Sequence, residues 1–271
     1  MRIDPTLSEW LNLFARWFHV FAGILWIGTT YYFTWLDAQL SEAERAAKAG
    51  EEAQVWMVHS GGFYVVEKRK VPGTRPLHWF RWEAALTWLS GMFLLALVYY
   101  LGGALIDPDV YDISNTAAVL LSLGTLVAAW LVYDLLAQTP LGRNDLVFAV
   151  ASFTLTVGAT YGLTRMFSGR AAFIHVGAIY GTIMAANVWM RILPAQRRTI
   201  AAAKSGATFD PALGARAKQR SKHNTFMVVP VVFTMISNHF PVSTYGSRYN
   251  WLILSALILV GWVAAKFIRR A

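Results

Sequence analysis

The chain has 271 residues, 56% hydrophobic and only 14% charged, with a mean hydropathy of +0.42, more apolar surface than a soluble core of this size absorbs. Its formal charge of +9, from 24 Lys and Arg against 15 Asp and Glu, sits in short loops between apolar runs, so it reads as a membrane-topology signal and not as a nucleic-acid footprint. The absence of cysteine excludes disulfides, thiolate metal sites, iron-sulfur clusters and covalent c-type haem within the chain, leaving His, Met or weaker ligands for any redox cofactor.

In chain order, the first apolar span covers 11–36. It follows a start without a basic n-region or a small-residue cleavage site and is expected to be retained as a helix. Residues 37–80 form an excursion in which "SEAERAAKAGEEAQ" predicts a capped polar helix and "SGGFYVVEKRKVPGTRP" a turn-rich, partly interfacial loop. Further spans are predicted at 81–104, 115–138, 145–167, 171–193, 224–242 and 249–268, and Pro194 closes the fifth. Residues 194–222 then read as a basic linker attracted to anionic lipid.

These uninterrupted runs lack period-2 alternation, so helices are expected in place of a barrel. The fold class is an all-α integral membrane protein: a single domain over 1–271, about seven transmembrane helices. An N-out, C-in orientation makes 37–80 and 194–222 cytoplasmic and leaves only Arg2, Arg16, Arg165, Arg170 and Arg248 outside.

Direction fixes the depth of the 6 histidines. His19, His175 and His239 share an outer tier, and His59, His78 and His223 an inner one. His223 and His239 bracket the sixth span, roughly 24 Å apart at about 1.5 Å per residue. Two imidazole levels suit stacked redox centres, or a redox centre above a substrate site, because neutral imidazole is a good axial ligand for haem iron. His19 is followed on the same face by Gly23 and Trp26, a ligand, a flat gap and an aromatic wall. His19 and His175 lie deep enough for function to be the default. His239 and His223, at helix ends, are as readily explained by hydrogen bonds to headgroups. Glu83 reads as a proton acceptor or as a partner for Arg81 or His78, and Asn238 could orient its neighbour His239. Gly177, Gly181 and Ala185 have the spacing of a packing seam, and Trp10, Trp79, Trp82 and Trp251 suit an interfacial belt.

The blocks "FHVFAGILWIGTTYYFTWLDAQL", "VWMVHSGGFYVVEKRKVP", "LHWFRWEAALTWLSGMFLLALVYY", "FIHVGAIYGTIMAANVW" and "KHNTFMVVPVVFTMISNHFP" resemble, in order over nearly the whole chain, the membrane domain of the bacterial membrane-bound urate oxidases, or cytochrome c-type urate hydroxylases. The first block is also similar, more distantly, to the opening histidine helix of bacterial membrane haem proteins of the copper-resistance D and protoporphyrinogen oxidase types, which supports His19 as a ligand by analogy alone.

The resemblance implies a multi-pass protein of the bacterial inner membrane that oxidises urate to 5-hydroxyisourate and passes electrons to a cytochrome c. In that family a c-type domain normally follows the membrane region. This sequence ends at "FIRRA" without C-x-x-C-H, so the cytochrome is either a separate protein or part of a longer chain.

Urate is a planar monoanion. An inner site is therefore expected, with His59, His78, His223 and Glu83 as catalytic groups and Arg75, Arg81, Trp82 and Asn224 binding substrate. Electrons are expected to pass to haem b held by His19 and His175, with His239 in the same tier, either one haem or one at each histidine level. Entry of urate from the outer side stays open. Two other classes also stay open: a haem b or quinone-linked electron-transfer subunit without urate chemistry, and a purine transporter with histidine proton relays. The transporter is disfavoured by the lack of an internal repeat or a broken-helix pair.

Overall fold

The computed structural model describes residues 4–48, 52–69, 76–208 and 210–269. The chain begins with helix α1, Pro5–Ala46, which is capped by the Asp4 carboxylate accepting from the Leu7 N–H at 3.0 Å and has Pro5 at its first position. Its 42 residues reach roughly 60 Å at about 1.5 Å per residue, twice what a bilayer core requires. The start of the expected polar helix, Ser41 to Ala46, is therefore the end of α1. No Gly or Pro interrupts "TWLDAQLSEAERA", and Leu36 and Leu40 keep one apolar face in register through the junction.

That face is covered by an antiparallel hairpin of strands β1, Gln54–His59, and β2, Gly62–Glu67. The expectation of a loop here is corrected, and the otherwise helical fold gains one two-stranded sheet. "QVWMVH" and "GFYVVE" are rich in β-branched and aromatic residues, and Ser60 (φ 50°) and Gly61 (φ 77°) between them supply the two positive φ values of a tight hairpin turn. Val55 pairs with Val66 and Met57 with Tyr64, and of these Val55, Met57 and Val66 pack on Leu36 and Leu40 of α1. The alternate pairs, Trp56 with Val65 and Val58 with Phe63, are exposed. Asp37 accepts from Lys68 at 2.9 Å and from Lys218 at 2.7 Å, so one carboxylate ties the hairpin and a later helix to α1. Its hydrogen bond pushes the Lys68 ammonium above its ordinary pKa.

Five more helices are long and apolar enough to cross a membrane: α2, Trp82–Leu101; α3, Asn115–Gln138; α4, Asp145–Thr164; α5, Gly169–Lys204; and, last in the chain, α7, Asn250–Ile268. With α1 these make six. Between α5 and α7 lies α6, Pro211–Ile236, whose first half carries Arg216, Lys218, Arg220 and Lys222 and only whose second half is apolar. Side-chain caps start most of these helices: Ser114, Asn144, Ser168 and Asp210 each accept a first-turn N–H.

Two expected boundaries move. Helix α5 continues through Pro194 to Lys204, because residues Asn187–Ile192 widen into a π-helical turn in which the Leu193 N–H reaches back to the Val188 carbonyl. The wide turn takes up the proline, which has no N–H to place. The expected linker 194–222 is consequently the end of α5 and the first half of α6, joined at a turn where Gly206 has φ 68°. Helix α5 is the centre of the bundle, buried nearly all round from Ala171 to Val188. Helix α1 is peripheral, burying only Ala22, Leu36 and Leu40. Where α6 meets α7, Gly261 lies so close to Pro230 that a Cβ would fall 2.9 Å from its ring.

Candidate functional site

Because α1 rests mainly on α2 while α6 packs on α5 and α7, a cleft of about 450 Å³ is left between α1, α2, α5 and α6. It lies toward the end of the bundle at which α1 begins. Small residues flatten its walls: Gly23 on α1, Gly91 on α2, and Gly177, Ala178 and Gly181 on α5. A Cβ on Gly181 would meet nothing within 4 Å. The remaining wall is mostly apolar, with Trp26, Ile27, Leu95, Val98 and Val231.

His19 projects into this cleft from α1. Its Nδ1 lies 3.0 Å from the Thr87 carbonyl oxygen and 3.0 Å from Ser90 Oγ. A carbonyl can only accept, so Nδ1 carries the proton and Nε2 keeps its lone pair. Among the described residues no hydrogen bond engages Nε2. An imidazole anchored through one N–H with its other nitrogen free is what a metal-ligating histidine needs. Gly91 makes room for the ring, since a Cβ there would lie 3.0 Å from His19 Cε1. His239 reaches the same cleft from the 3₁₀ turn Ser237–His239 that follows α6, and it is exposed. Asn238 does not orient it, because its Oδ1 accepts from Arg170 Nε at 3.2 Å.

His175 is absent from the cleft. It is fully buried, with Nδ1 donating to the Ala171 carbonyl at 2.7 Å and Nε2 accepting from Ser122 Oγ at 2.6 Å. Ser122 in turn bonds the Tyr100 hydroxyl at 2.7 Å, and Phe167 packs on the imidazole at 4.8 Å. Both ring nitrogens are engaged, Nδ1 within α5 and Nε2 in fastening α5 to α3. The expected pair of His19 with His175 is not brought together, whereas His19 and His239 line one space.

The inner histidines are dispersed. His59 ends β1, exposed, with Nδ1 2.7 Å from Ser60 Oγ. His78 is exposed and edge-on to Phe80 at 4.6 Å. His223 is buried, stacked on Phe148 at 4.4 Å, with Nδ1 accepting from the Tyr133 hydroxyl at 2.8 Å. It belongs to a polar knot that sequence reasoning missed. Asn187 donates to both Tyr133 Oη and Asn224 Oδ1, Asn224 donates to the Met184 carbonyl, and Arg220 pairs with Asp134 at 2.9 Å. Arg191 also bonds Asp134. Asn224 thus has its oxygen and its nitrogen committed within the protein.

Trp82 is exposed and edge-on to Trp189 at 5.9 Å, with the Arg81 guanidinium 5.5 Å from its ring. Arg81 Nε, Glu83 Oε2 and Trp189 Nε1 are each buried without a partner. Trp26, which lines the cleft, and Trp189 pack on the same patch of Ala84, Val188 and Leu193. Arg75 lies outside the described residues. Sequence reasoning also overlooked Arg16, Tyr99 and Arg170 near the cleft; the visible signal was a cation one turn before His19.

Among the described residues no group of three or more His, Cys, Asp or Glu could cage a bare ion. An iron porphyrin, which supplies its own four nitrogens, asks the protein for only one or two axial ligands. The cleft volume is within the range of about 300–1,000 Å³ occupied by sizeable organic ligands.

Compared with known protein families, residues 5–271 match the family described as Urate oxidase N-terminal. No curated protein and no solved structure matches the chain.

Proposed function

The chain belongs to the urate oxidase N-terminal family, and from that premise we propose that it is a membrane-embedded urate oxidase that passes electrons through a b-type haem in the cleft to a cytochrome c. The reaction balances as urate plus water giving 5-hydroxyisourate, two protons and two electrons. The single observation that carries the haem is His19: a cleft-lining imidazole whose Nδ1–H is fixed by Thr87 and Ser90 and whose Nε2 is free. His239, and not His175, would be the second residue to hold it, since His175 has no free nitrogen.

A bound haem would supply one-electron chemistry, taking electrons from substrate and releasing them to an acceptor. The chain's own residues would hold it: the glycine-flattened walls would admit a planar ring, the apolar lining would exclude water, and Thr87 and Ser90 keep the His19 imidazole in one tautomer. Of the groups expected to handle urate, Arg81 and Glu83 keep their roles in this reading. Each has an unpartnered buried atom; Arg81 stands against Trp82, whose ring meets Trp189, and Trp189 shares an apolar patch with the cleft-lining Trp26. Glu83 accepts a proton as urate is hydrated, and Arg81 balances the purine's negative charge. His59, His78 and His223 carry no part of it. Six helices of crossing length support insertion in a bilayer, and the basic hairpin end supports placing that end in the bacterial cytoplasm.

Purified protein in detergent should show a Soret band that shifts on anaerobic addition of urate. His19→Ala should remove the band, and His175→Ala should retain it. A band that survives His19→Ala would overturn the ligand assignment.

A further inference from the structure

Resting on the haem reading, we infer that the outer mouth of the cleft is an anion anchor, in which the Arg16 and Arg170 guanidiniums and the Tyr99 hydroxyl grip the carboxylate edge of a planar ligand. Tyr99 is only 4% exposed and lines the cleft, yet its hydroxyl is buried without a hydrogen-bond partner. A buried hydroxyl without a well-formed hydrogen bond is rare in a native protein unless a ligand or a neighbour's adjustment completes it, and Arg170 and Asn238 stand beside this one. The Arg170 guanidinium stands 5.8 Å from the Tyr99 ring centroid, and Arg16 lies within electrostatic range of the same hydroxyl.

Charge carries the argument further. The ion pairs among the described residues use Asp37, Glu67, Asp134 and Asp145, all toward the hairpin end. Neither Arg16 nor Arg170 joins one. Arg16 lines the mouth and Arg170 stands behind it against the Tyr99 ring, and an anionic ligand at the mouth would balance both cations. Asn238 Oδ1 takes Arg170 Nε and leaves the paired Nη groups as a fork suited to a carboxylate. Arg16 is braced in the same way by Asn12 at 2.5 Å. Immediately deeper, the walls turn apolar with Val20, Leu95 and Val98, so the ligand that fits is amphipathic: a flat body inside with its acid groups at the mouth. Haem propionates have this form, and the planar urate anion, which has no carboxylate, shares only its flat shape and negative charge.

The test titrates hemin, hemin dimethyl ester and urate separately into the full-length protein, wild type and Arg16→Gln/Arg170→Gln. Hemin affinity should fall tenfold or more in the variant while the ester, lacking free carboxylates, binds both proteins alike. Should hemin be unaffected and urate binding weaken tenfold, the anchor stands and its ligand is the purine. Equal binding of hemin and of urate by both proteins overturns the inference. If wild type binds no hemin at all, the haem reading fails by itself and the urate titration alone decides the anchor. Tyr99→Phe, which removes one oxygen, decides the matter if the double variant does not fold: a several-fold loss of hemin or urate binding supports the anchor, and unchanged binding of both sinks it.

Discussion

Gly91 faces His19 so closely that a Cβ at this position would lie 3.0 Å from the imidazole Cε1. The glycine therefore determines where the imidazole stands, since any side chain there pushes the ring toward the cleft and away from Thr87. Gly91→Ala should weaken haem retention and broaden the Soret band, and Gly91→Val should lose the haem. Overpacking of this kind typically costs about 1–3 kcal/mol. Absorbance per protein after size-exclusion chromatography measures the effect, and full occupancy in Gly91→Val would show that His19 is not a ligand.

Ser122→Ala leaves His175 Nε2 buried without a donor. The expected consequence is a loss of about 1–3 kcal/mol of stability with an unchanged haem spectrum. Thermal unfolding followed by circular dichroism, set beside the absorption spectrum, separates the structural role given to His175 from a ligand role.

Asp134 is contacted by both Arg220 and Arg191, and Arg220 is almost wholly buried. Asp134→Ala should destabilise by about 3–5 kcal/mol, the cost of leaving a buried charge unpaired. Adding Arg220→Leu should recover part of that loss. The readout is the yield of monodisperse protein and its unfolding temperature in detergent; a double variant no better than the single one would argue against the pairing.

Glu83→Gln keeps the shape of the side chain and removes its basicity. Urate-dependent reduction of haem should slow by about 10²-fold or more, with haem content intact. Stopped-flow absorbance under anaerobic conditions gives the rate, and a rate equal to wild type would exclude Glu83 as the proton acceptor.

The hairpin has two unlike faces. Val55→Asp places a charge against Leu36 and Leu40 and should detach the hairpin, seen as new proteolytic cleavage between residues 47 and 69. Phe63→Ser lies on the exposed face and should alter stability in detergent by no more than about 0.5 kcal/mol. If the two variants were cut alike, the register of Val55 with Val66 would be in error.

The crossing helices were legible from residue order because an apolar run of about 20 residues can be satisfied in lipid only by internal backbone bonds. The hairpin left a local signal too: Ser60 and Gly61 between two β-branched and aromatic runs mark a turn, although the stretch also reads as a turn-rich loop. Pro194 misled for the opposite reason. A proline usually ends a helix, but the π-helical turn at Asn187–Ile192 depends on neighbours that a linear pattern does not contain.

By itself the sequence determined most of the apolar crossing segments, that imidazoles gather toward both ends of the bundle, and, through its long family-like blocks, the membership that the family match bears out. Only the tertiary structure decided which imidazole is free. Depth along a helix follows from residue count, but the direction in which a ring faces follows from what packs beside it. Ser122 on α3 occupies His175, whereas Thr87 and Ser90 on α2 anchor His19 and leave its second nitrogen toward the cleft. Those partners are 53, 68 and 71 residues away in the chain, beyond the reach of any local pattern.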